Sequence, residues 1–183
     1  NRNQKIGALI EQLFTELIDK LKEKGVKINI KREPFGSDYL LTDESSDLVN
    51  DDRKEEFFKI NDWLIELKAT GKDFAAMTSL QAKTATEKKD NYALIVVPLD
   101  GSEPDIEYVR TNAKVVGEIG YKLSYLINDF NDIESKKSQL KTEQNGVSVD
   151  IEDQNVRFRV NSSVWNSDNG NSISEFISKY FDE

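Results

Sequence analysis

A chain of 183 residues, 37% apolar and 32% charged, is long enough for one well-packed core, and it has no run of about 18 apolar residues to span a bilayer. It contains no cysteine and no histidine, which excludes thiol nucleophiles, disulfides, the usual zinc ligand sets and every Ser-His or Cys-His catalytic arrangement. Its net charge of −9 works against non-specific binding to phosphates, because negative potential repels polyanions before contact.

Any chemistry must therefore rest on carboxylates, lysines and hydroxyls. The N-terminus has the pattern of an amphipathic helix rather than a secretory segment, so the cytoplasm is the expected compartment, with no membrane partner. Because the sequence opens on Asn1 rather than Met, other domains of a longer parent chain are expected partners. A homodimer is compatible with this composition.

In chain order, Ile6, Leu9, Ile10, Leu13, Phe14, Leu17, Ile18 and Leu21 repeat at the spacing of a core-facing helix over 4–24, stopped by Gly25. The alternating 26–31 predicts a first strand, and a turn at 33–37 leads to a second over 38–42. Between 43 and 56 seven acids face two bases, which reads as a solvated loop. The third predicted strand covers 57–70, followed by a short segment, 74–78, and a helix over 79–90 capped by Thr78 or Ser79. The run 92–99 is apolar on both faces and predicts a covered central strand. Beyond it, a long helix carrying Val115 to Ile133, a hairpin of 147–151 with 156–160, a loop over 161–172 and a closing helix over 173–181 are expected. The order helix, three strands, helix, strand is mixed α/β, with a core over 1–104 and an extension, 105–183, packed on it.

Within the third strand, 64-LIELKAT-70 interrupts an apolar run with two charges. Alternate side chains of a strand share a face, so Glu66 and Lys68 point the same way while Ile65 and Leu67 enter the core. Asp62 is too far along the strand to share an ion with Glu66, so a second carboxylate has to come from a neighbouring strand. Asp38, just after Gly36, is the candidate.

An Asp followed at a distance by Glu-x-Lys near a strand end, on an αβββαβ order, resembles the PD-(D/E)xK nucleases, the restriction-endonuclease-like superfamily. A narrower resemblance is to the NO VEIN C-terminal-type domain of bacterial restriction and phage-defence proteins. It runs through 6-IGALIEQLF-14, 36-GSD-38, 64-LIELKAT-70 and 79-SLQAKTATEKKDNYALIVVP-98, and covers about residues 4 to 100. It implies an endonuclease module of a larger defence protein acting on DNA. Asp38, Glu66 and the Leu67 carbonyl are then expected to hold Mg²⁺ (or Mn²⁺), with Lys68 orienting the attacking water. Gln81 is implied near the site, and Glu11 as an orienting group or a ligand of a second ion.

Plainer readings of the same residues exist. Glu66 and Lys68 can form a surface ion pair worth at most about 1 kcal/mol, and Asp38 can cap backbone amides after Gly36. With the acidic charge, these favour a non-catalytic protein-interaction module on the same fold.

Overall fold

The apolar stripe read at the N-terminus forms α1 (Arg2–Glu23), which buries Ile10, Leu13, Phe14, Leu17 and Ile18. The computed structural model describes residues 2–33, 35–43, 62–140, 155–166 and 171–181. The helix ends where Gly25 takes φ +98°. The Gly25 amide donates to the Lys22 carbonyl and the Val26 amide to the Leu21 carbonyl, the paired bonds of a Schellman cap.

Turning back from this cap, the chain runs through β1 (Ile28–Arg32), β2 (Tyr39–Asp43) and β3 (Trp63–Thr70), an antiparallel meander. Next come β4 (Phe74–Thr78), α2 (Ser79–Lys88), a 3-10 turn over Lys89–Asn91 and β5 (Tyr92–Pro98). β5 returns parallel to β3, the outcome expected of a helical crossover. The remaining elements are α3 (Ile106–Asn112), β6 (Lys114–Val116), α4 (Ile119–Leu140), β7 (Arg157–Asn161), α5 (Ser162–Asn166), β8 (Asn171–Ser172) and α6 (Ile173–Phe181). The fold is α/β, with a six-stranded mixed sheet ordered β1-β2-β3-β5-β6-β8.

Both faces of that sheet are covered. On one, Tyr39, Leu41, Trp63, Ile65, Leu67, Ile95 and Val97 pack against α1, α3 and α6. On the other, Leu40, Leu64, Tyr92, Leu94 and Val96 pack against α2, α4 and α5 and against a ribbon made of β4 and β7. None of the described helices is long and apolar enough to cross a membrane.

Several expectations need correction. Val115 and Val116 do not open the long helix; they form β6 opposite Ile95 and Leu94, where β-branched residues pack well, and α4 starts at Ile119 after the turn at Gly117. The segment 74–78 is a strand, and its partner is β7. The expected hairpin therefore does not describe β7; its other arm, 147–151, lies outside the described residues, as do 44–61, which hold the acidic stretch and the start of the predicted third strand. The span 161–172, read as a loop, includes α5 and β8, and α3, capped by the Asp105 carboxylate at the Tyr108 amide (2.7 Å), was not expected. The chain after residue 104 also does more than pack on the core, since it supplies β6 and β8 to the same sheet.

Candidate functional site

Three segments meet on the α2 side of the sheet: the β1–β2 turn, the middle of β3 and the first turn of α2. The β2–β3 ladder pairs Tyr39 with Ile65, and one further step sets Asp38 opposite Glu66. The Asp38 amide donates to the Ile65 carbonyl at 2.9 Å. One Asp38 carboxylate oxygen accepts the Leu67 amide at 2.8 Å, so the side chain takes over where the β2 ladder has ended. A strand residue sends its N–H and C=O to the same side, which aims the Leu67 carbonyl past Asp38 as well.

Glu66 was expected at a sheet surface. It is instead fully buried, at 0% exposure, because α2 and the β4–β7 ribbon cover its face. Glu66 Oε1 accepts from Gln81 Nε2 at 2.5 Å and forms an ion pair with Lys68. Glu66 Oε2 is buried and meets no donor. A second carboxyl, Asp38, lies near enough to act on Glu66, and when ionised it is an acceptor too.

The electrostatics follow from this crowding. Burial pushes the Glu66 pKa up to about 7; Lys68 opposes the rise and Asp38 adds to it. Asp38 is raised as well, first by burial, while the Leu67 amide, Lys68 and Arg32 pull it down and Glu11 pushes it up. Two neighbouring acceptors, one buried and one half-buried, favour a proton or a cation between them.

Gln81 is held at both ends. Its Oε1 accepts the Thr78 amide at 2.7 Å, its own amide donates to Thr78 Oγ1 at 3.2 Å, and this capping box leaves the Gln81 NH₂ no direction but Glu66. Of the two caps expected for α2, Thr78 is the one used.

Gly36 shows why a glycine precedes Asp38. Its φ is +75°, and a Cβ there would stand 2.1 Å from Thr84 Oγ1 of α2. Its carbonyl accepts the Tyr92 hydroxyl at 2.7 Å. Tyr92 is buried, and that burial, with Glu66 and Asp38 nearby, lifts its pKa above the usual phenol value. Residue reading alone missed Tyr92 and Thr84; the one available signal was a tyrosine opening an otherwise aliphatic strand.

The structure thus brings Asp38, Glu66, Lys68, Gln81 and the Leu67 backbone together. Glu11 stands apart, on α1 across the sheet, where its carboxylate pairs with Arg32 at 2.8 Å. Arg32 in turn lies over the Tyr39 ring at 4.8 Å. An open cleft of about 1280 Å³ lies elsewhere, against Trp63, Val116, Tyr121 and Tyr180; none of Asp38, Glu66, Lys68 or Gln81 lines it.

Among the described residues no group of three or more acidic, histidine or cysteine side chains is placed to hold a metal. A hard cation that keeps several waters needs fewer protein ligands than that. A buried Glu66 Oε2 without a donor, with the Asp38 carboxyl nearby, suits such an ion in donor chemistry and in charge. In comparison with known proteins, no family model, no curated protein and no solved structure matches the chain.

Proposed function

We propose that this chain is a divalent-cation-dependent phosphodiesterase of the PD-(D/E)xK type, acting on DNA as the endonuclease module of a larger restriction or phage-defence protein. The observation that carries the reading is the pairing of half-buried Asp38 with fully buried Glu66, one oxygen of which has no donor, beside the Lys68 ammonium. The order α1-β1-β2-β3-β4-α2-β5 supports it, with β4 leaving the main sheet to pair with β7.

In this reading Asp38, Glu66 and the Leu67 carbonyl hold Mg²⁺ or Mn²⁺, oxygen ligands for a hard ion. Such an ion, when bound, lowers the pKa of a coordinated water and offsets charge on the scissile phosphate. Gln81 keeps the Glu66 carboxylate from rotating away. Lys68, at 26% side-chain exposure, is close enough to solvent to reach an incoming phosphate; once Glu66 is shared with a cation, its ammonium orients the attacking water and stabilises the developing anion. Glu11 is a positioning residue here, acting through Arg32 at the edge of Asp38.

The test is supercoiled plasmid DNA at pH 8 with Mg²⁺ or Mn²⁺. Wild type nicks or linearises it, and Glu66→Gln and Lys68→Ala do not, although both fold. A second reading, a protein-interaction module on the same fold, is favoured by the net charge of −9 and by the direct Glu66–Lys68 pair. Intact plasmid from wild-type protein whose melting temperature does not respond to either ion would select it.

A further inference from the structure

The β4–β7 ribbon has two unlike faces. Ala75 opposite Val160 and Met77 opposite Phe158 point inward and are buried. Ala76 opposite Arg159 and Thr78 opposite Arg157 point outward, and both arginines are exposed. The Arg159 guanidinium lies 4.5 Å from the centre of the Phe74 ring and the Lys72 ammonium 5.3 Å from the same ring. Neither arginine, nor Lys72, forms an ion pair with a described residue. In a chain of net charge −9, two arginines on one ribbon and a lysine on the turn leading into it, against the single described carboxylate of that turn, Asp73, make a locally basic surface.

Their position connects them to the carboxylates. Thr78, directly across from Arg157, is the cap whose amide binds Gln81 at 2.7 Å, and Gln81 reaches Glu66 at 2.5 Å. Arg159 follows two residues on, about 6.8 Å along the strand, and Lys72 sits on the turn that joins β3 to β4, where its amide donates to Thr70 Oγ1 at 3.1 Å. We infer that the outward face of the β4–β7 ribbon, through Arg157, Arg159 and Lys72, is the surface that holds the phosphate backbone of a nucleic acid and leads it to the Asp38–Glu66 site.

The inference rests on the phosphodiesterase reading and adds to it the partner's docking face. An arginine fork matches phosphate oxygens in pairs, and a local run of cations can carry a polyanion past an otherwise repulsive surface. It also gives the chain after residue 104 a part in the site, since β7 comes from there.

The experiment is equilibrium binding of the whole chain to a fluorescein-labelled 20-base-pair DNA duplex, read by anisotropy in EDTA between 50 and 200 mM KCl. Wild type binds, and each phosphate contact contributes about 0.9 to the log–log salt slope. Arg157→Ala/Arg159→Ala binds more weakly with a slope shallower by about 2. Arg157→Gln/Arg159→Gln, which retains the side-chain stems, does the same, so loss of packing is separated from loss of charge. Lys24→Ala/Lys27→Ala, at the turn after α1, leaves the slope unchanged. An unchanged slope in both arginine variants, no binding by wild type at 50 mM KCl, or displacement of the duplex by polyglutamate at equal charge would overturn the assignment. DNA held through these arginines but never cut sinks the phosphodiesterase reading and leaves the surface standing. Cleavage with arginine-independent binding does the reverse.

Discussion

Asp38 and Glu66 face one another across the end of the β2–β3 ladder, a step beyond the Tyr39–Ile65 pair, and the buried Glu66 oxygen that meets no donor makes this an unfinished arrangement. Glu66 is buried and Asp38 half-buried by elements packed over a sheet face that the sequence left charged. That burial is what gives the two carboxyls their shared demand for a positive charge.

Stability should depend on pH through Glu66. Its pKa rises on folding from 4.5 to about 7, so folding favours the protonated form. The stabilisation is complete below about pH 4.5 and lost as pH rises through about 7. Glu66→Gln, a neutral isostere, lacks that loss. In EDTA the variant is expected to gain on wild type across this window and to exceed it by about 3 kcal/mol at pH 8. Parallel stability–pH curves in denaturant titrations would contradict the assignment.

Divalent ions should largely close that gap. At pH 8 Mg²⁺ or Mn²⁺ raises the melting temperature of wild type, by about 2.7 kcal/mol of stability at a hundredfold excess over Kd. Asp38→Asn and Glu66→Gln give little or no shift in scanning calorimetry. Equal shifts in all three proteins would place the ion elsewhere.

Gln81→Glu separates capping from charge. The new carboxylate can still accept the Thr78 amide, but it replaces the donor to Glu66 with a third acceptor. The variant is expected to melt near wild type at pH 5, where the carboxyls share protons, and well below it at pH 8. Thr78→Ala, by contrast, should cost about 1 kcal/mol at both values.

The Gly36–Tyr92 linkage should be structural. Gly36→Ala forces a side chain into a left-handed backbone and against Thr84, a loss of about 2 kcal/mol or more. Tyr92→Phe leaves the buried Gly36 carbonyl without its donor and costs about 1–3 kcal/mol. Urea unfolding midpoints measure both; a neutral Gly36→Ala would show that the turn is not held as described.

Local pattern made α1, the Glu66–Lys68 strand and the doubly buried β5 legible, because each announces itself within its own ten or twenty residues. Asp38 was also within reach, as the acid at the start of the neighbouring strand, whereas Gln81 came only from the resemblance. What stayed hidden was non-local. The β4 sequence FAAMT carries little strand signal, and its partner β7 lies some eighty positions on, so neither the ribbon nor the cover over Glu66 could be read. The valines of β6 fit a helix stripe as well as a strand, and only their partners Ile95 and Leu94 decide between them.

Crystals of the protein soaked in Mn²⁺ at pH 8 test the central claim most directly, through anomalous difference density at the site. The account predicts a peak between Asp38 and Glu66 with Glu66 Oε2 among its ligands, at the roughly 2.1–2.2 Å expected for a hard divalent ion on oxygen. Density absent there at millimolar Mn²⁺, with Glu66 still closed on Lys68, would contradict it.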